Sequence, residues 1–453
     1  MYGREGESLS LAAAGDAIIT RRLSACEAEP VTRMVDRIRD ADASMINLEV
    51  MLHDYDAYPG AASGGTYMRA PGWAADELAW AGFDIFAAAN NHTGDYSHGG
   101  METTMCELES REIPYAGLGR NLAQAREPAY VDTPAGRVAL VAACSTITSG
   151  SIAGEQRPDM GGRPGLAPLR TDVTYVVPSD EFDRLRDLSD SLGLEAVKER
   201  RRNLGFGVPG DDEDGFALLN VGGGGYLTIE ESDNDEFAIE RTVNEGDLEA
   251  FEAQLDAASR QADWVIATVH AHEGKDGHGN DRSIPSFLER VARASIDAGA
   301  DAFVGHGPHV LRGIEVYEDA PIFYSLGNFL MQNETVSRLP AEIYNRYDLA
   351  HDALPADLYD ERVEDDDGEP AGFLADRGFW ESVLPITHYD GGTLDRIELL
   401  PLDLGGDEPR PRRGRPGLAD EETGTRILDE LTELSAPYGT TISIDDGRGM
   451  IDG

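Results

Sequence analysis

Lysine is nearly missing from this chain: Lys198 and Lys275 are its two occurrences in 453 residues. All basic residues together number 38 against 85 acidic ones, a formal net charge of −47. A surface of that sign repels nucleic acid and anionic membrane, so neither is an expected partner. Such repulsion is largely screened at molar salt, where the Debye length falls to about 3 Å, and a halophilic source is therefore expected. A disordered acidic tail does not explain the charge, because the acid is spread along the chain and apolar residues make up 41% of it. Cysteine is scarce as well. Cys26, Cys106 and Cys144 lack CxxC spacing, which excludes a disulfide framework and a structural zinc knot. Long apolar runs are also lacking, and none approaches the ~20 residues that span a bilayer. The stretch RRLSAC, Arg21 to Cys26, pairs a twin arginine with a lipobox-like ending. No apolar segment separates the two, so it is not expected to function as a signal. A cytoplasmic location is expected, with the cell surface, through an anchor not visible in this sequence, as the alternative.

What is present is an alternation of short apolar runs and amphipathic stretches. SLSLAAAGDAIIT predicts a first strand delivering Asp16 at its end, VTRMVDRIRDAD a helix, and ASMINLEV a strand ending near Asn47 and Glu49. GWAADELAWAG predicts a second helix, and FDIFAAANNH a strand running into Asn91 and His92. VALVAAC, WVIATVHAHE, GADAFVG and PIFYSLGNFL continue the pattern. Strands and helices of these lengths in alternation predict an α/β fold with a parallel or mixed sheet. The core is expected over 8–330, interrupted at about 170–245 by an acidic α/β or loop insertion holding KERRR, GDDEDG and GGGG. KERRR is expected to be a solvated helix face. An acidic loop region follows at 331–377, and at 378–453 a hairpin around Asp390-Gly391-Gly392, a helix and a last strand, TTISID, complete the same domain.

The chemistry-bearing residues fall at the carboxyl ends of the predicted strands, where open α/β sheets bind ligands. Asp16, Glu49, Asn91, His92 and His270 each sit at or just past such an end, and GHGPH places His306 and His309 on a tight turn after GADAFVG. His92, His98, His270, His272, His306 and His309 are six of the chain's ten histidines. Imidazole, carboxylate and amide oxygen together suit Mn, Zn or Fe, whereas calcium avoids histidine. One or two divalent transition-metal ions are the expected cofactor.

The ordered set GD at 15–16, NLE at 47–49, NNHTGD at 90–95, HAHE at 270–273, GHGPHVLRGIE at 305–315 and YSLGNF at 324–329 resembles the CapA family of poly-γ-glutamate capsule biosynthesis proteins. That family is similar in fold to the calcineurin-like metallophosphoesterases, a layered α/β sandwich with mixed sheets. The resemblance implies metal ligation by Asp16, Glu49, Asn91, His270, His306 and His309, with His92 as a general acid and Glu273 as a further catalytic candidate. Asp95 and His272 are expected to brace the ligands. Arg69, Arg312 and Asn328 are candidates for gripping the substrate. The chain departs from the metallophosphoesterase opening Asp-x-His, because Ile18 stands where the histidine would be, and from the His-Trp-Gly of many CapA-like chains, because His270-Ala271-His272-Glu273 replaces it.

The implied function is a metal-dependent hydrolase acting on poly-γ-glutamate or a related capsule polymer, or in its assembly. The alternatives are a phosphoesterase for a small phosphoester and a non-catalytic polymer-binding component of a capsule synthase, with polymerase components as partners.

Overall fold

The computed structural model describes residues 8–208, 215–219, 226–364 and 369–453. The acidic turn at 210–214, the glycine run at 222–225 and residues 365–368 of EDDDGEP lie outside the described residues.

Strands β1 (Ser8–Ile18), β2 (Ala43–Leu48) and β3 (Ile85–Ala87) run parallel in one large sheet, joined through helices α1 (Glu29–Arg39) and α2 (Trp73–Ala81). Strands β4 (Gly136–Cys144), β5 (Trp264–His270) and β6 (Ala302–His306) run parallel in a second, six-stranded sheet. Helices α3 (Glu245–Ser259) and α4 (Ser286–Asp297) precede β5 and β6. After β6 the chain returns to the first sheet as β7 (Asn328–Met331), which pairs with the carboxyl half of β1 from Asp16 opposite Asn328. The hairpin β8 (Glu381–Asp390) and β9 (Thr393–Asp403) closes across Gly391-Gly392, and β8 runs antiparallel to the amino half of β1.

The two sheets pack face to face. Leu9, Leu11, Ala13 and Met45 of the first meet Val138, Leu140, Ile266 and Val304 of the second in one apolar layer. The alternate residues of β1, Ala12, Ala14 and Ala17, turn outward onto Val31, Met34, Val35 and Ile38 of α1. In α1 these four recur at i, i+3, i+4 and i+7, with Glu29 in its first turn and Arg37 and Arg39 in its last, matching the helix dipole. The outer face of the second sheet is covered the same way by Leu248, Phe251 and Leu255 of α3 and Phe287, Leu288 and Val291 of α4. Because both faces of β1 and β5 are buried, these strands are near-continuous apolar runs.

The insertion takes the α/β form of the two expected, and three features differ from the sequence expectations: the burial of Lys198, the helices of 331–377 and the last strand. The insertion contains a four-stranded sheet of Thr171–Val177, Gly215–Leu219, Tyr226–Glu231 and Ala238–Val243, with its own cluster of Val177, Phe182, Phe216 and Ile229. Lys198 of the KERRR island is buried against Glu195, so that helix face is not wholly solvated. The 331–377 region carries short helices, Ala341–Arg346, α5 (Pro355–Val363) and Gly372–Ala375, and Leu358, Tyr359 and Val363 anchor α5 in the interior. At the end of the chain, TTISID forms the short strand Ser443–Asp445, and the final strand is Arg448–Asp452 in a hairpin with it, inside which α6 (Glu421–Ser435) covers the inter-sheet layer.

Candidate metal centre

The carboxyl ends of the parallel strands in the two sheets meet at one place. Gly307, just past β6, donates its backbone N–H to Asp16 Oδ2 at the end of β1 over 2.9 Å. Gly307 has φ +119 and a Cβ there would lie 2.9 Å from Ala271 N, so glycine is required by both conformation and space. Two residues on, His309 holds φ +62, a left-handed conformation that a non-glycine residue adopts at a cost and that the surrounding structure fixes. Similarly, a Cβ on Gly15 would sit 1.9 Å from Gly327 O, so the close approach of β1 to the entry of β7 depends on Gly15.

Side chains from five chain segments converge here. Asp16 Oδ1 lies 3.6 Å from His270 Nδ1 and 3.6 Å from His306 Nδ1, and Asp16 Oδ2 lies 3.6 Å from His309 Nδ1. Glu49 Oε1 lies 3.6 Å from His270 Nε2, 3.9 Å from His92 Nε2 and 4.0 Å from His309 Nε2. His270 is the hub: its Nδ1 is 2.9 Å from His306 Nδ1, and its Nε2 is 2.9 Å from both Asn91 Oδ1 and His272 Nε2. Three ligand-capable groups result, Asp16–His270–His306, Glu49–His270–His272 and Asp16–Glu49–His309, each with its ligand atoms within 4.8 Å of one another.

The outer hydrogen bonds fix which imidazole nitrogens carry protons. The Thr268 hydroxyl donates to Val304 O at 2.7 Å, so its oxygen accepts from His306 Nε2–H at 2.9 Å, leaving a lone pair on His306 Nδ1. Asn328 donates to Phe379 O and His309 O, so its Oδ1 accepts from His309 Nδ1–H at 2.9 Å, leaving the lone pair on Nε2. With Asn280 Oδ1 accepting from His272 Nδ1–H at 2.6 Å, the inner Nε2 of His272 is likewise a lone pair. Burial keeps the imidazoles neutral: His306 is pushed down to about 4, His272 to about 3 by burial and then by His309, and His270 well below its ordinary value. Burial also opposes ionisation of Asp16, but His309, His270 and His306 outweigh it and hold that carboxyl far below the usual range. Glu49 is driven the other way, well above its ordinary value, by burial and by the charges of Asp16 and Asp95. Neither Glu49 oxygen has a hydrogen-bond partner, although both are buried. A lone pair on His306 beside Asp16, and lone pairs on His309 and His272 beside the unsatisfied carboxyl group of Glu49, are the donor set that a divalent cation completes.

The remaining sequence candidates divide. His92 donates through Nδ1 to Asp95 Oδ2 at 2.7 Å, and Asp95 is itself fixed by the N–H groups of Gly64 and Met68. Asn328 braces His309 and does not face a cleft, being 1% exposed. Arg312 is fully buried and donates to Asp281 O and Glu273 O, which removes it from any substrate. Arg69 is bound to His53 O and Asp54 Oδ1 and lies 4.1 Å over the Tyr55 ring, where it ties a loop. The Glu273 carboxylate accepts from Ser145 Oγ at 2.8 Å and Thr146 Oγ1 at 2.9 Å and is in none of the ligand-capable groups, so it ties the end of β4 to that of β5. His98 is exposed at the start of a helix and is not part of the centre.

Sequence reasoning missed Asn47, Thr268 and Asn280 as site residues. Asn47 donates to Asp16 Oδ1 at 2.8 Å. Asn47 and Thr268 each stand two residues before a site residue, Glu49 and His270, and the period of a strand puts such a pair on one face. A cleft of about 190 Å³ opens above the centre, walled by His92, His272, His309, Phe373 and Phe379.

Two facing mixed sheets, helices on their outer faces and a His, Asp, Asn and Glu cluster at the joined strand ends define a metallophosphoesterase-like fold. A family profile described as "Bacterial capsule synthesis protein PGA_cap" matches residues 10–333, and the chain belongs to this family. It is 33% identical over 454 residues to "Uncharacterized protein y4sH" of Sinorhizobium fredii, covering 98% of this chain and 93% of that one. It is 24% identical over 334 residues to "Capsule biosynthesis protein CapA" of Bacillus anthracis, covering 72% of this chain and 61% of the relative. A third relative, "PGA biosynthesis protein CapA" of Bacillus subtilis, is 36% identical over 152 residues, 32% of this chain and 38% of its own. No helix among the described residues is long and apolar enough to cross a membrane.

Proposed function

We propose that this protein is a metal-dependent hydrolase of the capsule-synthesis type, acting on poly-γ-glutamate or a related acidic cell-surface polymer. The observation that carries the reading is the protonation pattern of the centre: outer imidazole nitrogens committed as donors, the inner nitrogen of His306 facing Asp16 and those of His309 and His272 facing the partnerless carboxyl group of Glu49. Mn, Zn or Fe fits that set: Asp16, His270 and His306 would hold one ion, and Glu49 would hold a second with His270 and His272 or with Asp16 and His309, Asn91 Oδ1 lying beside His270 Nε2. When bound, such an ion supplies Lewis-acid polarisation and a hydrolytic nucleophile at neutral pH.

The chain's own residues supply orientation and proton transfer. Asp95 fixes His92 with Nε2 towards Glu49 and the cleft, where the ring in its doubly protonated form, Nδ1–H held by Asp95, can give its Nε2 proton to a leaving nitrogen or oxygen. Asn328, Thr268 and Asn280 hold His309, His306 and His272 in register. Phe373 and Phe379 give the cleft an apolar wall that limits water. The names of the Bacillus relatives support capsule polymer as the substrate class, and the fold alone supports a phosphoester.

The test is chain-length analysis of poly-γ-glutamate incubated with protein loaded in turn with Mn, Zn and Fe in high salt, alongside bis(p-nitrophenyl) phosphate. Metal-dependent shortening of the polymer, abolished in the His306→Ala/His309→Ala variant, is expected. Cleavage of the diester alone would transfer the assignment to a phosphoesterase. Cleavage of neither by metal-loaded protein would leave a polymer-binding component.

A further inference from the structure

The cleft above the centre has an unusual electrostatic lining for this molecule. The chain carries 85 acidic residues, yet among the described residues no Asp or Glu lines this cleft, and its one permanently charged side chain is Arg362. Arg362 comes from α5, in the acidic region whose composition predicts only loop. Its Nη1 donates to the hydroxyl of Thr66, a neutral partner, and its guanidinium lies 5.8 Å over the Tyr359 ring. No ion pair engages it among the described residues. Elsewhere in the cleft region arginines are spent on carboxylates: Arg410 and Arg413 both grip Glu334, the residue after the cleft-lining Asn333. A half-buried arginine without a counter-ion among the described residues, beside Thr66, Asn333 and two metal-site histidines, is a cation held ready for an anion from outside.

We infer that Arg362 is the residue that recognises the substrate, by gripping an anionic oxygen group, carboxylate or phosphate, next to the bond placed over the metal centre. The inference rests on the hydrolase reading for the identity of the reacting bond, but the binding of the anion is independent of turnover. It also answers an objection to that reading. A chain of net charge −47 repels a polyanion at long range, whereas salt screens that field beyond a few ångströms and leaves a contact pair inside the cleft much less affected. Recognition of the polymer is then a local property of α5, and the general surface contributes nothing to it.

Isothermal titration in high salt tests this with two probes, a γ-linked glutamate tetramer and inorganic phosphate, on metal-loaded parent, Arg362→Gln and Arg362→Lys proteins. Metal content is measured on each, and the variants are expected to match the parent, because Arg362 is no ligand. The parent is expected to bind at least one probe, Arg362→Gln to bind it at least about tenfold more weakly, and Arg362→Lys to fall between. Preference for the tetramer identifies a carboxylate polymer, and preference for phosphate identifies a phosphoester. An Arg362→Gln protein with full metal and the parent's affinity would overturn the inference, as would a metal-loaded parent that binds neither probe. The hydrolase reading fails separately, if anions bind through Arg362 and no bond is cut.

Discussion

Asp95→Asn separates orientation from ligation at the centre. The Asp95 carboxylate is fully buried and accepts three hydrogen bonds, from Gly64 N at 2.9 Å, Met68 N at 2.6 Å and His92 Nδ1 at 2.7 Å. An asparagine keeps one acceptor oxygen. In its better rotamer that oxygen serves Met68 and His92, while the amide nitrogen opposes the Gly64 N–H, and the two surviving bonds lose their charge assistance. One lost bond and two weakened ones amount to about 2–3 kcal/mol of folding stability. Function is expected to suffer differently. Without the carboxylate the Nδ1–H tautomer of His92 is less favoured and the ring less fixed, and loss of such an orienting group typically costs about 10–100-fold. Asp95 touches no ligand-capable group, so metal content is expected to stay at the parent value. The assay is urea unfolding, metal analysis and ¹⁵N spectroscopy of the His92 ring on the same preparation, followed by turnover of whichever probe the parent cleaves. Parent-like stability and an unchanged His92 tautomer would refute the reasoning, and so would loss of metal from a fully folded variant.

Other expectations follow from the same structure. Gly307→Ala forces a Cβ to within 2.9 Å of Ala271 N at φ +119, and a destabilisation of about 2–4 kcal/mol with weakened metal binding is expected from denaturation and metal titration. His53, buried and beside the Arg69 guanidinium, is held at about 4. A depressed histidine stays neutral in the folded chain while the unfolded chain takes up a proton below its ordinary 6.5, so stability is expected to fall as pH drops from 6.5 towards 4, by at most about 3 kcal/mol. His53→Gln should flatten that part of the pH–stability curve in urea melts. With a formal charge of −47, the unfolding midpoint is expected to rise steadily between about 0.2 and 3 M KCl, and a flat salt dependence would remove the argument for halophilic adaptation.

The strand ends were legible because burial on both faces makes β1, β4, β5 and β6 nearly continuous apolar runs, and because the residue after each run is polar and chemically active. Which polar residue faces the centre was less legible. Arg312 and Asn328 stand in the same motifs as His309 and Gly327, yet the turn geometry buries one against backbone carbonyls and sets the other behind an imidazole. Glu273 looked catalytic from its position beside two histidines, but hydroxyls at the end of β4, more than a hundred residues earlier, capture it. No local pattern could reveal that pairing. The helices of 331–377 were hidden for another reason. They are short and acidic, and Pro355 at the start of α5 marks a first helical turn as readily as a loop. Arg362 went unnoticed with them.

The central claim, that the joined strand ends form a metal site, is tested most directly by metal analysis. Plasma mass spectrometry on parent protein purified in high salt without chelator, beside the His306→Ala/His309→Ala variant, counts ions per chain. One or two Mn, Zn or Fe ions per parent chain, lost in a variant that remains folded, is the predicted result. A parent that stays empty after addition of all three metals would contradict the account.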